Sequence, residues 1–123
     1  MGYQYMTFGK FIIAKRREKD LSARQLALAV GMTPEYMCDI EKDRKNAISE
    51  DYINGLIRVL NLSGEELERF YDLLAISQKT VSADLPEYIM ENELVRAAIR
   101  TAKKNRVPDE KWIKFINEII KKE

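Results

Sequence analysis

The residues of this chain that could do chemistry are basic side chains that follow a short predicted helix. Lys42, Arg44 and Lys45 lie close together in sequence, and cations clustered in this way could contact phosphate groups. They could equally belong to a solvated turn, because runs of charge are usually surface. The net charge of the whole chain is only +1. Any face that binds a polyanion must therefore be a local patch.

The composition argues against other kinds of chemistry. The chain has no histidine, which excludes a histidine-based acid–base mechanism. Its single cysteine, Cys38, cannot form an internal disulfide. A zinc site is close to excluded, because one thiol and no histidine supply too few ligands. That thiol could sense redox state or simply fill a tight helix–helix position. Without a glycine-rich phosphate loop or a paired-carboxylate motif, we predict no enzyme activity, no metal and no cofactor.

Length and apolar content predict one domain, or one domain with an appendage. The chain has 123 residues and is 46% hydrophobic, which is enough for a real core. No apolar run is long enough for a signal peptide or a membrane span. Together with the lone cysteine, this predicts a cytoplasmic protein.

Apolar periodicity predicts an almost wholly helical chain, with a first helix that starts near Thr7. Ser22 and Gln25 fit a capping box at the start of a second helix. Gly31 is placed to stop that helix in the left-handed conformation. Thr33 then caps a third helix, with Pro34 at its first position.

Further cap signals predict the helices that follow. A fourth helix starts after Ser49, and Ser63 with Glu66 fits a second capping box at the start of a fifth. The polar, poorly periodic segment that follows is predicted to be a linker. This gives a domain over residues 1–77, a linker over 78–84 and a helical extension over 85–123.

The extension is predicted to contain two helices. One runs from near Pro86 to Lys104, with a possible interruption around Asn92, and the last runs from Pro108 to Lys122. The last helix carries more apolar residues than one narrow stripe, namely Trp112, Ile113, Phe115, Ile116, Ile119 and Ile120. These residues need a partner surface. It could be the neighbouring helix in a hairpin, a second copy of the chain, or a different protein, and the first two can coexist.

The stretch from Leu21 to Asn46 is the most informative part of the chain. Two short helices joined at Gly31 would project the second helix from the body of the protein. A single projecting helix has a size that a DNA major groove accepts. The pattern L-S-x-x-x-L-A-x-x-x-G-M-T followed by M-x-x-I-E-K resembles the XRE-type helix-turn-helix family, the phage-repressor and Cro-like proteins, over about residues 8–74. The resemblance implies an all-α fold, a five-helix, lambda-repressor-like domain with a C-terminal helical extension.

The resemblance also implies roles for particular residues. Thr33, Pro34, Glu35, Tyr36 and Asp39 would face base edges. Ser22, Ala23 and Arg24 would lie by the DNA backbone, and Lys42, Arg44 and Lys45 would approach phosphates. Glu41 would pair with Arg16 inside the domain.

The two acids of the third helix, Glu35 and Asp39, would face a polyanion, although a carboxylate can accept a hydrogen bond from cytosine N4. Tyr36 could contact a sugar or a thymine methyl, or could pack on the second helix.

The function that the resemblance implies is sequence-specific regulation of transcription. The expected protein is a repressor that binds double-stranded operator DNA as a homodimer through its third helix. The alternative is an antitoxin-like or other protein-interaction module whose C-terminal helices bind a partner protein. Residues 112, 113, 115, 116, 119 and 120 form the expected dimer or partner surface in either case.

Overall fold

The computed structural model describes residues 6–45 and 47–121, and all regular secondary structure in those ranges is helical. The helices are α1 (Phe8–Glu18), α2 (Ala23–Val30), α3 (Pro34–Glu41), α4 (Glu50–Leu60), α5 (Gly64–Gln78), α6 (Pro86–Met90), α7 (Glu93–Asn105) and α8 (Asp109–Lys121). The chain divides into two compact units, one that ends at Leu85 and one that starts at Pro86. Asn46 and Lys122, the predicted ends of the informative stretch and of the last helix, lie outside the described residues.

The predicted caps set where the first three helices begin. The Thr7 and Ser22 hydroxyls accept from backbone N–H groups three residues on, at 3.1 and 3.0 Å. The Gln25 side chain accepts from the Ser22 N–H at 2.8 Å, which confirms the capping box. Thr33 accepts from the Tyr36 N–H at 3.1 Å at the start of α3. Each contact satisfies a backbone donor that the first helical turn would leave unpaired.

Gly31 makes the tight connection between α2 and α3 possible. Its φ is +99°, a left-handed conformation that costs glycine little. The N–H groups of Gly31 and Met32 both donate to the Ala27 carbonyl at 2.9 Å. The chain therefore leaves α2 and enters α3 within three residues, and Met32 is turned into the core.

The core of the first unit lies between α1, α2, α3, α4 and α5. It contains the buried side chains Phe8, Phe11, Ile12, Leu26, Ala27, Met32, Met37, Ile40, Ile48, Leu56, Leu60, Leu62, Phe70, Leu73 and Leu74. Phe70 of α5 meets Phe8 of α1 edge-on, with 5.2 Å between ring centroids. Helix α1 contacts both α3 and α5. It therefore supports the α2–α3 pair from the side of the core.

Gly9 lets α1 approach the end of α3 closely. A Cβ at this position would lie 2.4 Å from the Glu41 carbonyl oxygen and 2.7 Å from that of Ile40. Both atoms belong to backbone, so neither can move aside cheaply. The start of α1 is thereby placed directly against the end of α3.

The second predicted capping box, at the start of α5, is wrong. The Ser63 hydroxyl makes no cap hydrogen bond. Gly64, the first helical residue, has a φ of +58°, so the chain enters α5 by a different path from that of a standard cap. The Glu66 carboxylate, which would complete the box, accepts instead from Lys15 Nζ of α1 at 2.5 Å. A tertiary ion pair has replaced the local contact.

The last residues of the first unit, after α5, fold back on this helix. Helix α5 continues to Gln78, one residue into the predicted linker, and Lys79 ends it in the left-handed conformation. Ser82 is buried and its hydroxyl donates to the Asp72 carboxylate of α5. A polar segment is thus attached to the first unit through one side-chain hydrogen bond.

The second unit contains α6, α7 and α8 and buries none of its described side chains. The predicted interruption is confirmed, since α6 ends at Met90 and α7 begins at Glu93. The Arg96 guanidinium of α7 donates to the Ile89 and Met90 carbonyls at the end of α6. Among the described residues, no helix combines the length and the apolar character that a bilayer crossing requires.

Candidate nucleic-acid interface

A half-buried ion pair holds α3 against α1. Arg16 Nε donates to Glu41 Oε2 at 2.7 Å, and its Nη2 donates to Oε1 at 3.1 Å. This hydrogen bond raises the pKa of Arg16 above its ordinary value, while burial acts in the opposite direction. Arg16 also donates to the Leu21 carbonyl at 3.3 Å, just before α2. One guanidinium therefore joins α1, the entry to α2 and the end of α3, as the sequence predicts for Arg16 and Glu41.

The outer face of α3 presents its two acids. Met37 and Ile40 are buried, whereas Glu35 is exposed and Asp39 is half-exposed. Positions four apart share a face of a helix, so the two carboxylates lie along one edge. Thr33 is exposed beside them, and Pro34 is half-buried. An α-helix with its side chains is about 10–12 Å across, which suits the width of a DNA major groove.

Tyr36 is held between α4 and the basic loop. Its ring meets the Tyr52 ring of α4 edge-on at 5.0 Å between centroids. The Lys45 ammonium lies 5.0 Å from the Tyr36 centroid, over the ring. This ring contact is with α4, whereas the packing considered from the sequence was on α2. Part of the tyrosine remains accessible to a ligand that approaches α3.

The loop after α3 returns towards the helix. Arg44 Nη1 lies 3.7 Å from Asp39 Oδ1, and both side chains are well exposed. With Lys45 over Tyr36, two of the three predicted phosphate-binding cations extend along the face of α3. The negative charge of Asp39 is therefore partly offset by its own chain before any DNA arrives. Lys42, at the end of α3, is exposed.

Asp43 ties this loop to the start of α1. Its carboxylate accepts from the Gly9 N–H at 2.8 Å and from the Thr7 hydroxyl at 2.7 Å. Its φ is +59°, a conformation that aspartate tolerates better than most residues. The sequence pattern assigns no role to Asp43. An aspartate just after a helix is a recognisable signal for a left-handed residue, but its partners are far away in sequence.

Ser22 and Arg24 lie at the positive end of α2. Both are exposed, and the Ser22 hydroxyl is occupied by the cap. Helix N-termini attract phosphate because unpaired N–H groups and the helix dipole point outward there. The α2 start, the outer face of α3 and the loop after α3 all belong to the first unit and are positioned by the same buried core.

The comparisons with known proteins address this unit. Residues 12–67 match the family model described as helix-turn-helix. No curated protein and no solved structure matches the chain. Over these residues the chain is similar to the XRE-type helix-turn-helix family. This family is one of DNA-binding regulatory domains, and α2 and α3 are the two helices that the sequence predicts as the helix-turn-helix.

The helix-turn-helix match includes the helices that position the candidate interface. It covers α2, α3 and α4 completely and ends within α5. The all-α fold with further helices after the domain is confirmed. The roles of the individual side chains on DNA, from Ser22 to Lys45, stay predictions. Within the described residues, no group of His, Cys, Asp and Glu side chains is arranged to hold a metal ion.

Proposed function

We propose that this chain is a repressor that binds operator DNA as a homodimer, with α3 in the major groove. The observation that carries the proposal is the placement of α3. Its outer face is presented by a rigid core, and exposed cations follow directly after it. The lone thiol, Cys38, is compatible with the reducing cytosol where such a protein would act.

The contacts divide into two kinds. Thr33, Pro34, Glu35, Tyr36 and Asp39 face base edges, where a carboxylate can accept from cytosine N4. Ser22, Arg24, Lys42, Arg44 and Lys45 contact the backbone. If Arg24 and the three loop cations each neutralise one phosphate, the logarithm of affinity should fall with the logarithm of salt at a slope of about −3.6.

A homodimer supplies the affinity and the symmetry that one small domain lacks. Two copies of α3 would read half-sites about one helical turn apart, ~34 Å. Repression would be steric, because the dimer occupies DNA that the polymerase needs. The C-terminal helices would provide the contacts between copies.

The test is fluorescence anisotropy of the purified protein on DNA from upstream of its own gene. A scrambled duplex serves as the control, at low and at near-physiological salt. We expect a preference of at least about a hundredfold, about 2.7 kcal/mol, that survives the higher salt. Weak and equal binding to both duplexes that vanishes with salt would contradict the proposal.

Two sets of variants test the residue assignments. Replacing Lys42 and Arg44 together by alanine should weaken binding to both duplexes and reduce the salt slope by about 2. Lys103→Ala with Lys104→Ala removes the same charge from α7 and is the matched control. Asp39→Asn releases Arg44 and should alter sequence preference or strengthen non-specific binding. If none of these changes matters, the DNA face lies elsewhere.

A second candidate is an interaction module, such as an antitoxin, whose C-terminal helices bind and silence another protein. The exposure of every apolar side chain of α8 favours it. Under this hypothesis the second unit becomes ordered only with its partner. Circular dichroism and hydrogen exchange on the isolated full-length chain distinguish the two, because the repressor hypothesis expects α7 and α8 to be formed and protected without any other protein.

A further inference from the structure

The apolar residues of α8 form two parallel stripes rather than one. Trp112, Phe115 and Ile119 follow the spacing i, i+3, i+7, and so do Ile113, Ile116 and Ile120. The first stripe lines an open groove with residues of α6 and α7; the groove has a volume of about 580 Å³. The second stripe takes no part in the groove, and its three isoleucines are 51% to 76% exposed.

The groove is apolar along almost its whole length. Its α7 wall consists of Val95, Ala98, Ile99 and Ala102, and Lys111 is the charged residue in its lining. Small residues on α7 leave the groove wide, and Trp112 and Phe115 of α8 contact each other only edge-on, 6.3 Å apart. Helices α7 and α8 thus face each other across the groove without covering its apolar surface.

The described part of the second unit leaves its apolar side chains uncovered. None of the side chains of residues 86–121 is buried, and Trp112 and Ile120 are 40% and 76% exposed. An exposed apolar surface of this kind is typical of a site where another protein surface packs.

The charges beside the isoleucine stripe indicate which partner fits. Glu110 and Lys121 lie on the same flank of α8, near its two ends, about 16 Å apart along the helix. If two α8 helices pack antiparallel through their isoleucine stripes, each Glu110 meets the Lys121 of the other copy. A parallel pair would put these flanks of the two copies on opposite sides of the interface, so neither Glu110 nor Lys121 would find an opposite charge there. The surface is thus complementary to itself in one orientation.

We propose that two copies of this chain join through their second units as a four-helix bundle. In this bundle α8 packs antiparallel on the α8 of the other copy through Ile113, Ile116 and Ile120. The two-fold axis passes close to the middle of α8, between positions 115 and 116. Because stripe and groove share α8, this single pairing also brings the two α7 helices together and closes both grooves. The inference deepens the proposed function, on whose homodimer it rests.

Disulfide trapping in the full-length chain tests the orientation. Glu110→Cys and Lys121→Cys are made separately in a Cys38→Ser background, and one carries a tag that changes its mass. We expect mild oxidation of the mixture to yield the mixed disulfide, with little product from either variant alone. Crosslinking of each variant with itself, or the absence of the mixed disulfide, would overturn the proposal, since a disulfide needs Cα atoms about 4.4–6.8 Å apart.

Charge exchange tests the same pairing without a covalent bond. Glu110→Lys should weaken the dimer by up to about tenfold, because two ion pairs are lost per dimer. Adding Lys121→Glu should restore it. The double variant is the less favourable one for the helix dipole, so recovery could not come from a more stable α8. Failure to recover would contradict the antiparallel arrangement.

Ile116→Glu tests the stripe itself, with light scattering in the absence of DNA as the readout. We expect the dimer dissociation constant to rise by at least about a hundredfold. Leu94→Glu, at an 81% exposed position of α7 outside the groove, should leave it unchanged. An unaltered Ile116→Glu dimer would overturn the proposal. A wild-type dimer that binds no DNA would contradict only the proposed DNA binding. A wild-type monomer that binds the upstream DNA specifically would contradict this inference and the proposed homodimer, but not the DNA binding.

Discussion

The two units of this chain use apolar residues in opposite ways. The first unit buries Phe11, Ile12 and Phe70 almost completely, and its side-chain contacts run between helices far apart in sequence. The second unit has equally large side chains, yet Trp112 and Phe115 remain 40% and 53% exposed. Similar apolar content thus produces a closed core in one unit and an open surface in the other. The number of helices that can surround a side chain decides the difference.

The comparison predicts that stability depends on protein concentration in only one of the two units. The first unit is complete within a single chain, so a change in its core should act at every concentration. The second unit gains its burial from another copy, so a change there should act only where copies associate. The following substitutions sharpen or break this contrast, and they are ordered by the size of the effect.

The same substitution in the two units should give the largest contrast. Phe70→Ala removes a buried ring that contacts Phe8 and Phe11, and we expect a loss of about 3–5 kcal/mol in the free energy of unfolding. Phe115→Ala should leave unfolding of the dilute chain nearly unchanged and lower the melting temperature only at high concentration. Denaturant unfolding over a concentration series measures both. Equal losses at every concentration would break the comparison.

Glu41→Gln should give the next largest effect. Arg16 keeps its half-buried charge but loses its ionic partner, and hydrogen bonds to charged groups contribute about 1.5–3 kcal/mol. The matched control is Glu18→Gln, at a 60% exposed carboxylate paired with Lys15, which should cost less than about 1 kcal/mol. Chemical denaturation compares them. Equal costs would show that the pair does not fix α3 to α1.

Asp43→Gly tests the hydrogen bonds that join the loop after α3 to the start of α1. Glycine adopts the same positive φ freely, so the substitution removes the two hydrogen bonds to Thr7 and Gly9 without adding backbone strain. We expect a loss of about 1 kcal/mol. Hydrogen exchange of the first turn of α1 should rise in parallel. Unchanged protection there would mean that the carboxylate does not hold this end of α1.

The smallest effect should come from the ion pair between Lys15 and Glu66. The Lys15 hydrogen bond lowers the pKa of Glu66 below 4.5, with burial opposing it. A lowered folded-state pKa means that the contribution is present above the unfolded-state pKa and is lost as pH falls through the folded one. Glu66→Gln should therefore cost under about 1 kcal/mol at neutral pH and nothing in strong acid.

The control for this pH dependence is Glu65→Gln, at the neighbouring exposed carboxylate of α5. Unfolding followed from neutral pH to pH 2 should show a difference between the two variants that closes as the pH falls. A difference that persists in acid would show that Glu66 acts through packing rather than through charge.

Local signals in the sequence predicted most of the helix boundaries of the first unit. The caps at Ser22 and Thr33 and the left-handed Gly31 depend on neighbours three or four residues away, so the sequence contains both partners of each contact. Where a local signal failed, at Ser63, a distant residue was responsible. Lys15 of α1 binds Glu66 and removes the side chain that the capping box would need.

The side-chain arrangement of the candidate interface was less predictable. The residues were identified from the spacing of the helix-turn-helix pattern, but their mutual contacts were not. That Arg44 lies by Asp39, that Lys45 covers Tyr36, and that Asp43 binds the start of α1 all depend on the path of the loop after α3. A left-handed residue sets that path, and its orientation follows from packing between α1 and α3.

By itself, the sequence determined the all-helical class, the α2–α3 pair and the list of apolar residues on α8, because these depend on caps and periodicity within one helix. Only the tertiary structure decided which α8 residues line a groove with α7 and which form a separate isoleucine stripe. Periodicity places a residue on a helix face, but the neighbouring helix decides how much of that face is covered. Burial is a property of several elements at once, and no single helix encodes it.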